Sequence, residues 1–270
     1  MPKRIKDLMT PKIVTCSPSA ALGEVAALLD KHQVHALFVA EEAEIPLGVI
    51  TDFDVMAGEW LSQDKESLSA MQALTAAELM SSPVDSIDAD APIEEALTRF
   101  EQTGVARFLV TENQKPIGVL SLSDFAASLA QEIKPKRETV EDVMSHAILT
   151  CRRASPALSA AYAMSSSGWR SVVVVNEHGT ALGIISGYDL LPLLKAGANK
   201  NVTAEEIMHP ALTIDKRASL SQAADMLVQN HHHRLLVVDQ NDPEAFPLGA
   251  LSTFDIVAEM ARPASVWRKF

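Results

Sequence analysis

Cysteine, positive charge and long apolar runs are all scarce in this chain. Two cysteines, Cys16 and Cys151, stand in 270 residues. That is too few for a disulfide framework, and they lack the spacing of a metal-ligand pair, so a reducing compartment such as the cytoplasm is expected. Lys and Arg total 23 against 35 Asp and Glu, a formal net charge of −12. Such a surface repels a DNA or RNA backbone, which excludes a nucleic-acid polymer as partner. Apolar runs such as Val172 to Val175 fall far short of the ~18 residues that a membrane span needs, so no membrane insertion is expected. No apolar stretch follows Met1-Pro2-Lys3-Arg4-Ile5-Lys6-Asp7, so no secretion signal is expected either.

Catalytic signatures are missing too. The chain has no Gly-x-Ser-x-Gly elbow, His-Glu-x-x-His pair, Gly-x-x-x-x-Gly-Lys-Ser/Thr loop or Gly-x-Gly-x-x-Gly fingerprint. No catalytic residue is assigned and the protein is not expected to be an enzyme. What is present is a foldable composition, 47% apolar and 21% charged, over a length that fits about two domains.

The chain repeats itself four times. Leu8-Met9, Leu79-Met80, Val143-Met144 and Ile207-Met208 open the copies, about 64 to 71 residues apart. A short strand follows each opener and carries a hydroxyl residue: Thr15, Ser86, Thr150 or Thr213. A helix comes next, with apolar residues at helical spacing: Leu22, Val25, Ala26 and Leu29; Ile93, Ala96, Leu97 and Phe100; Leu158, Ala161 and Tyr162; Leu220, Ala223, Ala224 and Leu227. Ser219 and Gln222 have capping-box spacing at the last of these helices. A basic residue then precedes a second strand, and a turn leads to a third.

The third strand carries the tightest pattern, here called the closer: Gly48-Val49-Ile50-Thr51-Asp52-Phe53-Asp54, Gly118-Val119-Leu120-Ser121-Leu122-Ser123-Asp124, Gly183-Ile184-Ile185-Ser186-Gly187-Tyr188-Asp189 and Gly249-Ala250-Leu251-Ser252-Thr253-Phe254-Asp255. Glycine, a hydroxyl residue and aspartate recur at fixed offsets. A closing helix is expected after each Asp. The charged, Pro-containing stretch Gln131 to Glu138 reads as a domain boundary. It separates 1–133, with repeats at about 3–60 and 75–130, from 134–270, with repeats at about 138–194 and 202–262. Met56 to Ala77 suggests extra helix.

These residues suit a sugar and its attached anion. A carboxylate is an acceptor that can take both hydroxyls of a vicinal diol. A hydroxyl and free amides at a helix start suit phosphate, and Arg adds a charged fork. Glycine at the strand start would let a ligand approach the backbone. The competing reading is local, because Ser/Thr-x-x-Asp before an apolar run is also a helix capping box, and both roles can coexist. Asp52, beside Thr51, places a second acid in the first copy and ranks it lowest for phosphate, with the third and fourth copies highest. His231-His232-His233 reads as a polar turn rather than a metal site, and Cys16 and Cys151 as packing residues at equivalent positions.

The Met opener, the closer and the fourfold recurrence together resemble the cystathionine-β-synthase (CBS) domain family over nearly all of residues 3–262. The resemblance implies an α/β (α+β) fold of four strand-helix-strand-strand-helix repeats, paired into two pseudo-twofold Bateman modules with clefts for adenosine-containing ligands. It implies that Asp54, Asp124, Asp189 and Asp255 accept ribose hydroxyls and that Thr51, Ser121, Ser186 and Ser252 contact phosphate. It also implies that Thr15, Ser86, Thr150 and Thr213 line the same cleft, with His35, Arg107, Arg170, His233 and Arg234 as phosphate ligands. The expected protein is a stand-alone regulatory sensor with no required cofactor. Its regulatory ligand is AMP, ADP, ATP or S-adenosylmethionine, with room in the scheme for Mg²⁺ on a polyphosphate. Occupancy would pass to an unknown regulated protein or to a homodimer, the alternative being a ligand-free interaction scaffold.

Overall fold

The computed structural model describes residues 4–41, 45–55, 74–130, 139–194, 201–242 and 246–262. The boundary stretch 131–138 lies outside the described residues, as do 56–73, the larger part of the segment read as extra helix.

Each repeat builds one three-stranded sheet. The first contains β1 (Thr15–Cys16), α1 (Leu22–His32), β2 (Ala36–Val39) and β3 (Gly48–Thr51). The second contains a short helix α2 (Ala76–Leu79), β4 (Ser86–Asp88), α3 (Ile93–Thr103), β5 (Arg107–Glu112), β6 (Lys115–Ser121) and α4 (Leu122–Ala130). The third has α5 (Val140–Val143), β7 (Thr150–Arg152), α6 (Ala157–Ser167), β8 (Ser171–Val175), β9 (Ala181–Ser186) and α7 (Gly187–Leu190). In the fourth are α8 (Ala204–Ile207), β10 (Thr213–Asp215), α9 (Leu220–Gln229), β11 (Arg234–Val238), β12 (Gly249–Ser252) and α10 (Thr253–Ala261). In every sheet the second strand is central, parallel to the first and antiparallel to the third. The mixed pattern follows from chain order, since the helix between the first two strands gives a parallel crossover while the turn between the last two gives a hairpin.

The helices bury the faces that their periodicity marks, with one correction. Leu22, Val25, Ala26 and Leu29 are buried on α1, and Ile93, Ala96, Leu97 and Phe100 on α3. On α6 the buried face is Ala157, Ala160, Ala161 and Met164; Leu158 is half-buried and Tyr162 is 47% exposed. The face therefore lies one residue away from the expected Leu158 and Tyr162. Alanines carry little hydrophobic contrast, so the larger side chains on the flank of this helix dominate its pattern. The Ser219 cap forms, its side chain accepting from the Gln222 amide at 3.2 Å.

The openers have a fixed local geometry of their own. Thr75, Thr139 and Thr203 close capping boxes with Glu78, Asp142 and Glu206, and in the first copy the Arg4 amide donates to Asp7 at 2.8 Å. One helical turn then delivers each Met. The residue after it makes a two-bond bridge to a closer strand in the neighbouring repeat: Thr10 with Val119, Ser81 with Val49, Ser145 with Ala250 and His209 with Ile184. Consecutive repeats therefore exchange their openers, the first with the second and the third with the fourth.

This exchange explains the closer glycine. A Cβ on Gly118 would stand 2.7 Å from the Thr10 carbonyl oxygen, and one on Gly183 2.7 Å from that of His209. Gly48 and Gly249 face Met80 and Ser81, and Met144 and Ser145, in the same way. The glycine is thus required by a neighbouring protein backbone, and not, as the sequence suggests, by a ligand approaching the strand.

Contacts gather the chain into two compact units, one of Met1–Ile13, Asp85–Ile148 and Leu212–Phe270, the other of Val14–Val84 and Leu149–Ala211. Each of these units draws segments from both 1–133 and 134–270. The reason lies in the helix faces: α3 and α4 bury their apolar residues with α9 and α10 in one core, and α1 buries its face with α6 in the other. Phe100 anchors the first core, 4.5 Å from the Phe108 ring and edge-on to Phe125 at 5.7 Å. In the second, Leu29, Leu37 and Ile50 pack with Met164, Val172 and Ile185. Cys16 belongs to this core, where burial pushes its thiol up to about 11 and leaves it a packing residue.

Two glycines separate close approach from mere flexibility. Gly183→Ala is expected to lower the stability of the chain by about 1 to 3 kcal/mol, because a backbone oxygen must move to admit the methyl group. Gly23→Ala, inside α1 with nothing within 4 Å of the new Cβ, is expected to raise stability by roughly 0.5 to 1 kcal/mol. Urea denaturation midpoints of the two variants against the parent chain check both signs.

Candidate functional site

All four closers place their hydroxyl and carboxylate together. The Thr51 amide and hydroxyl donate to Asp54 Oδ2 at 2.8 and 2.7 Å. Ser121 donates likewise to Asp124 Oδ2 at 2.6 and 2.7 Å, and Ser186 to Asp189 Oδ2 at 2.7 Å from both groups. Ser252 does the same to Asp255 Oδ2 at 2.7 and 2.6 Å. The capping role that competed with ligand binding is therefore formed in every copy.

The cap also uses up groups expected to be free for phosphate. Hydroxyl and first amide both point to the carboxylate, and the Asp54 and Asp255 amides return to Thr51 Oγ1 and Ser252 Oγ at 3.2 and 3.3 Å. The amides of Asp52, Leu122 and Thr253 donate to the carbonyls of His35, Ala106 and His233. What the cap leaves over is the second carboxylate oxygen, Oδ1.

The copies differ at that atom. Thr10 Oγ1, just past the first opener, donates to Asp124 Oδ1 at 3.1 Å. His209 Nδ1, just past the fourth opener, lies 3.2 Å from Asp189 Oδ1. Ser81 and Ser145 hold the equivalent posts for Asp54 and Asp255, and Ser145 Oγ turns instead to the Ala147 carbonyl at 3.5 Å. Among the described residues, no side chain is bonded to Asp54 Oδ1 or Asp255 Oδ1. Thr10 and His209 are site residues that the sequence reading missed, although their post is marked by the Met before them.

These neighbours set the carboxylate electrostatics. Burial pushes the Asp124 carboxyl above the ordinary carboxylate value, and the hydrogen bonds from Ser121 and Thr10 only partly offset it. Burial acts in the same direction on Asp189, but there the hydrogen bonds from His209 and Ser186 prevail and hold it below that value. His209 is raised above the ordinary imidazole value chiefly by its bond to Asp189, against the opposing effect of burial.

The basic residues divide into two groups. Arg107 and Arg234 stand directly across the ladder from Ser121 and Ser252, and so share a sheet face with the closer hydroxyl. His35, Arg170 and His233 sit one position earlier and turn to side chains. His35 Nδ1 lies 2.9 Å from Asp52 Oδ2 and its ring 5.4 Å from that of Tyr188; Arg170 stands 5.4 Å over the Phe53 ring; His233 Nδ1 is 3.2 Å from Ser123 Oγ. Asp52 is thus buried against His35, so it is not the free second acid that ranked the first copy lowest. Tyr188 continues this cluster, its hydroxyl donating to Asp30 at 3.1 Å and accepting from Gln33 at 2.7 Å.

Thr15, Ser86, Thr150 and Thr213 are exposed on the first strands, each in register with a central-strand residue: Phe38, Leu109, Val173 and Leu236. Register puts them on the same sheet face as the closer hydroxyls, with the central strand in between. The histidine run makes a turn after α9, where His231 adopts a left-handed φ of 54°.

The Asp189–His209 pair gives a pH dependence with a defined sign. The share from His209, whose folded value is raised, is fully present below the ordinary 6.5 and is lost as pH rises through the folded value. The share from Asp189, whose folded value is lowered, is present above the ordinary 3.8 and is lost as pH falls through the folded value. The stability difference between the parent chain and His209→Ala is therefore expected to be largest between these ordinary values and to shrink as pH rises beyond the ordinary imidazole value of 6.5. Denaturant midpoints of both proteins from about pH 5 to about pH 8.5 measure it.

The CBS domain family matches residues 5–58, 76–131, 140–196 and 204–262. Among curated relatives, the Methanocaldococcus jannaschii protein MJ1404 is 27% identical over 191 residues, covering 69% of this chain, which in turn spans 43% of that protein. MJ1225 from the same organism is 26% identical over 261 residues, covering 88% of this chain and 92% of its own. The crystal structure of MJ1225, described as a proposed archaeal homologue of γ-AMPK, superposes with a TM-score of 0.82 at 22% identity over 94% of this chain and 99% of that one. A conserved protein of Pyrococcus horikoshii superposes with a TM-score of 0.64 at 18% identity, covering 94% and 98%. With four matched repeats, reciprocal opener exchange and four closers of one geometry, the chain belongs to the CBS domain family.

Proposed function

We propose that the chain is a regulatory sensor that takes an adenosine-containing ligand at its closers and passes occupancy to a regulated protein or to a second copy of itself. The reading is one of binding, without a catalytic step. It is carried by one observation: after the cap is complete, Asp54 and Asp255 retain a carboxylate oxygen that no described side chain occupies. That oxygen can accept ribose hydroxyls, and Arg234 beside Ser252 supplies a cation for the attached anion. The likeness to MJ1225, with its proposed relation to γ-AMPK, supports the adenosine class. AMP, ADP, ATP and S-adenosylmethionine are the ligands of this reading.

The modules of this reading are the consecutive pairs in 1–133 and 134–270, because those are the repeats that exchange openers. In this reading Mg²⁺ enters only on a polyphosphate. The unpaired thiols of Cys16 and Cys151 agree with a cytoplasmic setting. No described helix is long and apolar enough to cross a membrane. The scaffold alternative draws its support from Asp124 and Asp189, whose second oxygens are taken by protein side chains.

Thermal melting separates the two readings. A ligand at a hundred times its Kd adds about 2.7 kcal/mol to a protein that binds it only when folded, so AMP, ADP, ATP or S-adenosylmethionine is expected to raise Tm. Asp255→Ala is expected to weaken the ligand-induced rise by about 1 to 3 kcal/mol, the cost of orphaned hydroxyls. No rise with any of the four ligands, while partner proteins still co-purify, establishes the scaffold.

A further inference from the structure

Which closers can take ligand follows from a position outside the closer pattern. The residue after each opener Met is carried, by the two-bond bridge and the glycine contact, to the closer of the neighbouring repeat. Its backbone is pinned, so its side chain alone decides what meets the second carboxylate oxygen. In the chain these residues are Thr10, Ser81, Ser145 and His209. Thr10 puts a hydroxyl donor on Asp124 Oδ1 and His209 puts a ring nitrogen on Asp189 Oδ1. Both are donors that a carboxylate accepts as it would accept a sugar hydroxyl.

We propose that Thr10 and His209 are built-in occupants of the second and third closers, which leaves the first and fourth closers to take the adenosine ligand. This rests on the sensor reading above. The two occupants differ in strength. His209 can carry charge and its partner Asp189 is largely buried, with 19% of its side chain exposed, which makes a charge-assisted bond that a neutral ribose hydroxyl displaces at a cost. Thr10 offers a neutral hydroxyl of the ligand's own kind. Its branched Cβ restricts χ1, which favours retention of the bonded rotamer. Ser81 and Ser145 lack both properties: serine has no branched Cβ to restrict χ1, and Ser145 already turns to a carbonyl. Occupancy of the four copies is thereby unequal although the closer sequence is common to them all.

The experiment is calorimetric titration of the full chain with AMP, reading stoichiometry. The parent chain is expected to bind two equivalents, Thr10→Val three and His209→Ser three, with four in the double variant. Serine at 209 is the residue that follows Met80 and Met144, so this variant keeps a side chain the fold already accepts there. If it fails to fold, Ser145→His supplies the reverse test: a histidine placed opposite Asp255 is expected to lower the stoichiometry by one. AMP binding with the same stoichiometry in the parent chain, Thr10→Val and His209→Ser overturns the occupant assignment and leaves the sensor reading intact. A parent chain that binds four equivalents has the same consequence. Absence of AMP binding in the parent chain and in every variant overturns both.

Discussion

At Gly118 and Gly183 the nearest backbone oxygen stands 2.7 Å from where a Cβ would be, which leaves room for hydrogen and nothing larger. Through that gap the opener of the neighbouring repeat lays its Met sulfur and the next peptide unit against the strand. Two backbone hydrogen bonds then close each bridge. Because the exchange is reciprocal, neither member of a consecutive pair completes its closer strand alone. Sheet edge, opener helix and carboxylate are placed by the same contact.

That contact also reconciles the two groupings of repeats. Opener exchange couples the first repeat with the second and the third with the fourth, whereas helix burial collects the second with the fourth and the first with the third. The two relations use different surfaces, the closer strand for one and the apolar helix stripe for the other.

Helix capping and ligand chemistry are commonly set against each other at a Ser/Thr-x-x-Asp motif. Here they divide one carboxylate between them. Oδ2 serves the cap in all four copies, at 2.6 to 2.8 Å, and Oδ1 is where the copies diverge. Asp124 and Asp189 make the contrast concrete. Both are half-buried acids, yet one is pushed up and the other held down, because a neutral hydroxyl meets the first and an imidazole meets the second. A repeat can thus keep its fold-forming residues unchanged and still alter its chemistry through a side chain that arrives from the next repeat.

Repeat number, strand and helix order, the closer residues and three of the four helix faces were legible in the sequence. Each depends on a local rule: periodicity, capping spacing, or glycine and hydroxyl residues at fixed offsets. The buried face of α6 was misplaced by one residue, since alanine gives a weak signal and Leu158 and Tyr162 a stronger one. The role of the glycine, the pairing of Asp52 with His35, and the approach of Thr10 and His209 to Asp124 and Asp189 were out of reach. They join residues 17 to 114 positions apart, and no local rule encodes which of many polar side chains a fold brings to a given oxygen. The amino-acid order alone therefore determined the four units and the carboxylate each one presents. Only the tertiary structure decided which of those carboxylates already has a partner, because that depends on where a neighbouring repeat's backbone is held.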